Sequence, residues 1–378
     1  MFNTSILCVA PLQTPPPIPG ATLLTLFLFT RHGMRSPEHL WHLPGNEGVW
    51  SCGDLSKVAL NKFKNISVNG KPFVYKSFNE SEFYPFPPSC QKGMLLNEGI
   101  KELRDLGKLY KHYVIEHNVI PEKFNKDLFY VRSSYVPRCI DSAIAFTSGF
   151  YDNDDDIEID IPTGSFGHEP IAPFPGGSKL LFAEAEKFIE TDEYKYRINR
   201  SKEIIAQFDD KLNVTFQMHE LEALTFGDYI NTMICSNQTL PFEMTENLHS
   251  EIMNHMNFIE SGFFNFTLNP TAGPIIELVL NKIEDYYGLE SHSKFNYFSG
   301  HDGTIAALLE AFGQRTFSPP PFASHFLLEI WYSDRPYLRA VYNGEVIKTM
   351  PLSEFKKWGL SLVEANQKML EELENKKN

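Results

Sequence analysis

The sequence has no apolar run close to the roughly 20 residues that a membrane-spanning helix requires. Its longest candidate is the stretch at residues 23–29, so a chain organised around a bilayer is excluded. Positive charge is scarce as well. Lys and Arg total 34 against 48 Asp and Glu, a formal net charge of -14. A field of that sign repels polyanions, which excludes nucleic acid or an acidic membrane surface as expected partners. Any phosphate ligand must then be gripped by a local cationic pocket. Cysteine is confined to Cys8, Cys52, Cys90, Cys139 and Cys235, with no CxxC and no Cys/His ligand spacing, which removes the sequence grounds for a metal site. The first 20 residues contain no Lys or Arg and so lack the charged start of a secretory signal, although they carry Pro11, Pro15, Pro16, Pro17 and Pro19.

At 378 residues and 42% hydrophobic, the chain is long enough for one large domain or for a main domain bearing an insertion. Asn-x-Ser/Thr sequons at Asn3, Asn65, Asn79, Asn199, Asn213, Asn237 and Asn265 fit a glycosylated lumenal or secreted surface, so a secreted or lysosomal/vacuolar location is expected. Cys52 and Cys90 both lie in Gly/Pro/Ser-rich loop sequence and form one candidate disulfide, with other pairings open.

Three short apolar runs read as buried strands, at residues 23–29, 128–131 and 295–298, and each stops at a polar cluster. The first cluster is Thr30-Arg31-His32-Gly33-Met34-Arg35-Ser36-Pro37, the second Arg132-Ser133-Ser134, the third Ser299-Gly300-His301-Asp302-Gly303. In a parallel sheet all three would lie along the carboxyl edge, where open α/β folds bind ligands. Leu96, Leu103, Leu106, Tyr110 and Tyr113, with Gly99, recur at helical spacing between the first two strands, as do Ile305, Leu308, Leu309 and Phe312 after the third. Residues 326–332 and 337–347 read as an antiparallel edge with a tight turn at Asn343-Gly344. The expected architecture is an α/β three-layer domain, its mostly parallel central sheet flanked by helices, with a smaller α-helical insertion. In residue terms this is a flexible Pro-rich segment at 1–21, an α/β domain at 22–165 and 268–378, and a mainly helical insertion at 166–267. The Glu/Lys-rich tail after Glu364 reads as a solvated helix end.

Hydrolysis of a phosphate monoester needs an aligned nucleophile, positive charge around the phosphoryl oxygens and an acid for the departing alcohol. The three clusters supply each. A neutral His32 imidazole can attack phosphorus without a metal and leave again when water arrives. Arg31, Arg35 and Arg132 could grip phosphoryl oxygens in bidentate fashion, and their charge would keep His32 unprotonated at low pH. His301 can donate to the phosphate, and Asp302 can protonate the leaving oxygen. Because a carboxylic acid must be protonated for that task, acidic pH is favoured. Arg138 reads as structural. His168 reads either as a cleft residue or as a satisfied structural histidine.

The first cluster resembles the RHGxRxP signature of the histidine acid phosphatases, and His301-Asp302 resembles their HD motif. The resemblance runs from about Thr22 to Gly344 and includes the segments at 93–115 and 130–143. It implies an α/β domain carrying a helical insertion, a phosphohistidine on His32, phosphate ligands Arg31, Arg35, Arg132 and His301, proton donor Asp302, and no metal or cofactor. At the middle motif the family commonly shows Arg-Ser-Thr-Asp and a second arginine, whereas this chain reads Arg132-Ser133-Ser134-Tyr135-Val136-Pro137-Arg138. The expected partner is a small phosphate monoester, and a homodimer is compatible with the sequence. Two alternatives stand beside a broad acid phosphatase. One is a narrower enzyme for an inositol phosphate, a phosphosugar or lysophosphatidate, and the other a catalytically silent secreted binding protein on the same fold.

Overall fold

The computed structural model describes residues 8–39, 50, 52–74, 90–154, 156–172, 178–212, 222–240, 242–288, 293–314 and 319–375. The strands are β1 (Thr22–Arg31), β2 (Phe63–Val68), β3 (Lys71–Pro72), β4 (Phe129–Ser133), β5 (Ile157–Ile161), β6 (Phe295–Gly300), β7 (His325–Tyr332), β8 (Pro336–Tyr342) and β9 (Glu345–Pro351). Six of them form one sheet in the order β4-β6-β1-β7-β8-β9, and β3-β2-β5 form a small second sheet. β4, β6 and β1 run parallel, whereas β7, β8 and β9 continue the sheet antiparallel. The antiparallel half contains the expected edge. Asn343 and Gly344 adopt φ of 48° and 85°, the left-handed pair that a two-residue hairpin turn requires.

β1 and β6 are buried on both faces, which is why they read as continuous apolar runs rather than as alternating ones. Leu26 and Leu28 of β1 join Phe129, Val131 and Tyr297 under the helices Asn97–Glu116 and Pro137–Phe150. Phe27, Phe29 and Phe298 face the other way, under Leu268–Gly288, Asp302–Ala311 and Leu352–Asn375. The three layers follow from that alternation, and each large apolar side chain so buried contributes about 1.5–3 kcal/mol. The last buried residue of the C-terminal helix is Val363, as the charged tail implies.

Between β5 and the helix Leu268–Gly288 lie the helices Lys179–Ile189, Asp192–Leu212, Glu222–Cys235 and Glu246–Phe266. Phe226, Tyr229, Ile230 and Met233 of the third, with Leu248 and Ile252 of the fourth, pack against Met34, Trp50, Leu96 and Phe322. The helical segment is thereby joined to the loop that follows β1.

The Pro-rich segment departs from expectation. Where described, from residue 8 onward, it is laid against the body of the protein and is not a flexible tail. Val9 bridges Phe322, the Ala10 N–H donates to Phe322 O at 2.9 Å, and Pro16 O accepts from Arg339 Nη1 at 2.7 Å. Proline has no N–H to satisfy and little backbone freedom to lose, so a proline-rich segment packs at small entropic cost. Cys8 is further tied to Cys235, and Cys52 to Cys90. Of the sequons, Asn65, Asn199, Asn237 and Asn265 are exposed, while Asn3, Asn79 and Asn213 lie outside the described residues. Among the described residues no helix is long and apolar enough to cross a membrane.

Candidate active site

The parallel register puts Arg31 beside Gly300, and Ser133 beside Ser299, so the chain leaves β1, β4 and β6 at one edge of the sheet. There His32, Arg35, Glu38, Val136, Arg138, His301 and Asp302 line a cavity of about 410 Å³. The loop after β1 is pinned through its backbone. The N–H groups of His32, Gly33 and Met34 donate to Gly300 O at 3.0 Å, Ser142 Oγ at 3.3 Å and Glu102 Oε2 at 2.8 Å. Gly33 and Gly99 meet backbone to backbone, and a Cβ at Gly33 would collide with the carbonyl oxygen of Gly99.

His32 is almost fully buried, with Nδ1 2.8 Å from Gly33 O. A carbonyl can only accept, so Nδ1 carries the proton and Nε2 keeps its lone pair. Burial, then Arg138, Arg31, Arg35 and His301, hold this imidazole well below the ordinary histidine range, so it stays neutral in acid. The His301 ring stands 5.8 Å from it in an edge-on arrangement and shares a 2.8 Å hydrogen bond with Ser134 Oγ. His301 also forms the N-cap of the helix Asp302–Ala311, its backbone N–H donating to Thr304 Oγ1 at 2.9 Å.

Each guanidinium around the cavity has a carboxylate partner. Arg31 Nη2 lies 2.8 Å from Asp302 Oδ2, its Nη1 donates to Pro320 O at 2.5 Å, and its plane covers the Phe322 ring at 4.3 Å. Arg35 makes a forked pair with Asp228 at 3.1 and 2.9 Å. Arg138 Nη2 lies 2.7 Å from Glu38 Oε1. The Nε of all three arginines is buried and without a hydrogen-bond partner. Burial alone would raise the Asp302 carboxyl, but Arg31 and Arg35 outweigh it and hold the group down at about 2.

Residues 23–343 match the family described as histidine phosphatase superfamily (branch 2). The chain belongs to that superfamily. Counting factor 60 of Dictyostelium discoideum is 24% identical over 356 residues, 88% of this chain and 84% of that protein. 2-phosphoxylose phosphatase 1 of Mus musculus is 24% identical over 352 residues, 85% of this chain and 70% of that protein. The apo form of Hafnia alvei phytase shares the fold with a TM-score of 0.63, at 13% identity, over 93% of this chain and 99% of that one. Family and relatives together make the chain a phosphoric monoester hydrolase.

Of the residues singled out in the sequence of this histidine phosphatase, His32, Arg31, Arg35, His301 and Asp302 converge. Arg132 does not join them. In β4 the side chains alternate, so Phe129 and Val131 enter the core while Arg132 shares the face of Tyr130. Its Nε and Nη2 are taken by both oxygens of Glu169 at 3.0 Å, and it does not line the cavity. The guanidinium expected there comes instead from Arg138, in the first turn of the helix Pro137–Phe150, which sequence reasoning had set aside. Pro137 at the first helical position was the available signal, because it fixes the turn from which Arg138 reaches back over the sheet edge. His168 is exposed and lies outside the cavity, while its neighbour Glu169 is the buried partner of Arg132. Glu38 and Asp228 were not anticipated. No local pattern announces them, since Asp228 is 193 residues from Arg35.

Proposed function

We propose that this enzyme is an acid phosphatase acting through a covalent phosphohistidine on His32. Arg31, Arg35, Arg138 and His301 bind the phosphoryl group, with Arg138 in the place expected for Arg132. The Nε2 lone pair of His32 attacks phosphorus as the P–O bond to the alcohol breaks, and Asp302 delivers a proton to the departing oxygen. Water then attacks the phosphohistidine, Asp302 takes its proton back, and phosphate leaves. Free Asp302 is held ionised by Arg31. When phosphoryl oxygens occupy that guanidinium, the carboxylate loses its counter-charge and gains an anionic neighbour, so it takes up the proton it must later give.

The observation that carries this reading is a neutral imidazole with an open Nε2 in a cavity lined by the guanidiniums of Arg35 and Arg138, with Arg31 joined to the cavity through its 2.8 Å pair with Asp302. The 2-phosphoxylose phosphatases among the relatives favour a phosphosugar as one narrower substrate. We further infer that the helical segment 166–267 is a cap on the α/β domain, because Asp228 from that segment reaches Arg35. A secreted or lysosomal/vacuolar glycoprotein fits the two disulfides and the four exposed sequons.

The test is hydrolysis of p-nitrophenyl phosphate at about pH 5 by wild type and His32→Ala, with mass-spectrometric detection of phosphate on the His32 peptide after a rapid alkaline quench. A loss of about 10⁴-fold or more, together with disappearance of the phosphopeptide, is expected. Equal rates, or phosphate on another residue, would remove the mechanism.

A further inference from the structure

The guanidiniums at and next to the cavity are matched one to one by carboxylates. Arg31 faces Asp302, Arg35 faces Asp228 and Arg138 faces Glu38, so the set is formally neutral before a ligand arrives. Only one of these carboxylates, Asp302, has a part in the chemistry proposed above. The other two must have another effect. Glu38, whose side chain is 36% exposed, pairs with Arg138, and its carboxylate also lies 4.0 Å from Arg35 Nε. Asp228 descends from the helix Glu222–Cys235 and takes both Nη atoms of Arg35.

We propose that Glu38 and Asp228 set the charge selectivity of the site: it accepts esters whose only strongly ionised group is the phosphate being removed and turns away polyphosphorylated compounds. This rests on the phosphatase reading. One phosphoryl group engages the three guanidiniums. A second phosphate on the same molecule would meet two fixed carboxylates, and among the described residues lining the cavity every arginine is already matched. Like charges forced together in a partly desolvated cleft repel strongly, and the net charge of -14 extends the penalty to the approach. The substrate class is therefore a monophosphate on a neutral, hydroxyl-bearing body such as a sugar, and inositol polyphosphates are disfavoured.

The experiment compares kcat/KM for a hexose monophosphate with that for the bisphosphate of the same hexose. Wild type is expected to prefer the monophosphate by about tenfold or more, and Glu38→Gln and Asp228→Asn are each expected to raise the bisphosphate/monophosphate ratio by about tenfold. Glu158→Gln removes one negative charge at the exposed Lys64 pair, outside the cavity lining, and should leave the ratio unchanged. Should a neutralised variant fail to fold, Val136→Lys adds a cation to the cavity wall without breaking a pair and should raise the ratio in the same direction. An unchanged ratio in the cavity variants, or an equal rise in Glu158→Gln, overturns the assignment while leaving the phosphatase reading intact. Failure of wild type to cleave either ester, with no phosphate on His32, would sink that reading instead.

Discussion

In the β7–β8 ladder Glu329 sits directly opposite Arg339, and both are buried. Arg339 Nε donates to Glu329 Oε2 at 2.5 Å, Nη2 to Tyr113 Oη at 3.0 Å and Nη1 to Pro16 O, while Tyr113 Oη and Trp331 Nε1 donate to the glutamate. At the carboxyl edge of β1 and β6, in the same sheet, Arg31 and Arg35 are also buried and Arg138 is partly buried; all three are ion-paired, yet each keeps an idle Nε. The contrast separates structural charge from working charge. A buried arginine whose donors are all used fixes the fold, because removing its partner leaves an uncompensated ion. Arginines with donors to spare, converging on one cavity, are held ready for an anion. An idle donor alone decides little. Arg104 Nε is also unpartnered, but that arginine pairs with Asp152 away from the cavity.

Perturbing the two regions should therefore give opposite signatures. At the working end, Asp302→Asn is expected to slow phosphoenzyme formation by about 10³–10⁴-fold for alkyl esters and much less for p-nitrophenyl phosphate, whose leaving group needs no proton. Rapid-quench rates across a series of leaving groups would show this. A uniform loss would contradict the acid role. At the structural end, Arg339→Leu should cost about 3–5 kcal/mol in urea unfolding while kcat/KM changes less than about twofold. A large activity loss without loss of stability would reverse the comparison.

The paired arginines of the middle motif sharpen it. Arg138→Ala should lower kcat/KM by about 10²-fold, whereas Arg132→Ala should spare kcat/KM and cost about 2–3 kcal/mol by stranding Glu169. If Arg132→Ala proved the more damaging to kcat/KM, the cavity assignment would fall. The smallest effect concerns Glu102, whose carboxyl is pushed up to about 8 by burial. From the ordinary carboxylate range up to about 8 the folded protein keeps a proton that the unfolded chain has released, so stability falls as pH rises through that window. Glu102→Gln retains an acceptor for the Met34 N–H and should flatten the decline in melting temperature between about pH 5 and pH 8. A decline as steep as that of wild type would show that the carboxyl does not titrate there.

How far the sequence spoke depended on whether the deciding interaction was local. β1, β4 and β6 were legible because a strand covered on one or both faces leaves an apolar signature that ends where the polar loop begins. The helix Asn97–Glu116 was legible in its stripe, and the hairpin in Asn343-Gly344. Arg132 was misplaced because two arginines six positions apart look alike until strand alternation and the helix start are both applied. Glu38, Asp228 and the Cys8–Cys235 bond rest on contacts between distant segments, the last separated by 227 residues. The Pro-rich segment misled for the same reason, since its partner Phe322 lies far along the chain.

The crossing of Gly33 and Gly99 has one more consequence. The distance from the nucleophile's loop to its supporting helix is set by peptide groups in direct contact, with no side chain acting as spacer. Replacement of neighbouring side chains leaves that spacing untouched as long as both positions lack a Cβ. A reactive imidazole mounted in this way tolerates extensive change in the surrounding side chains.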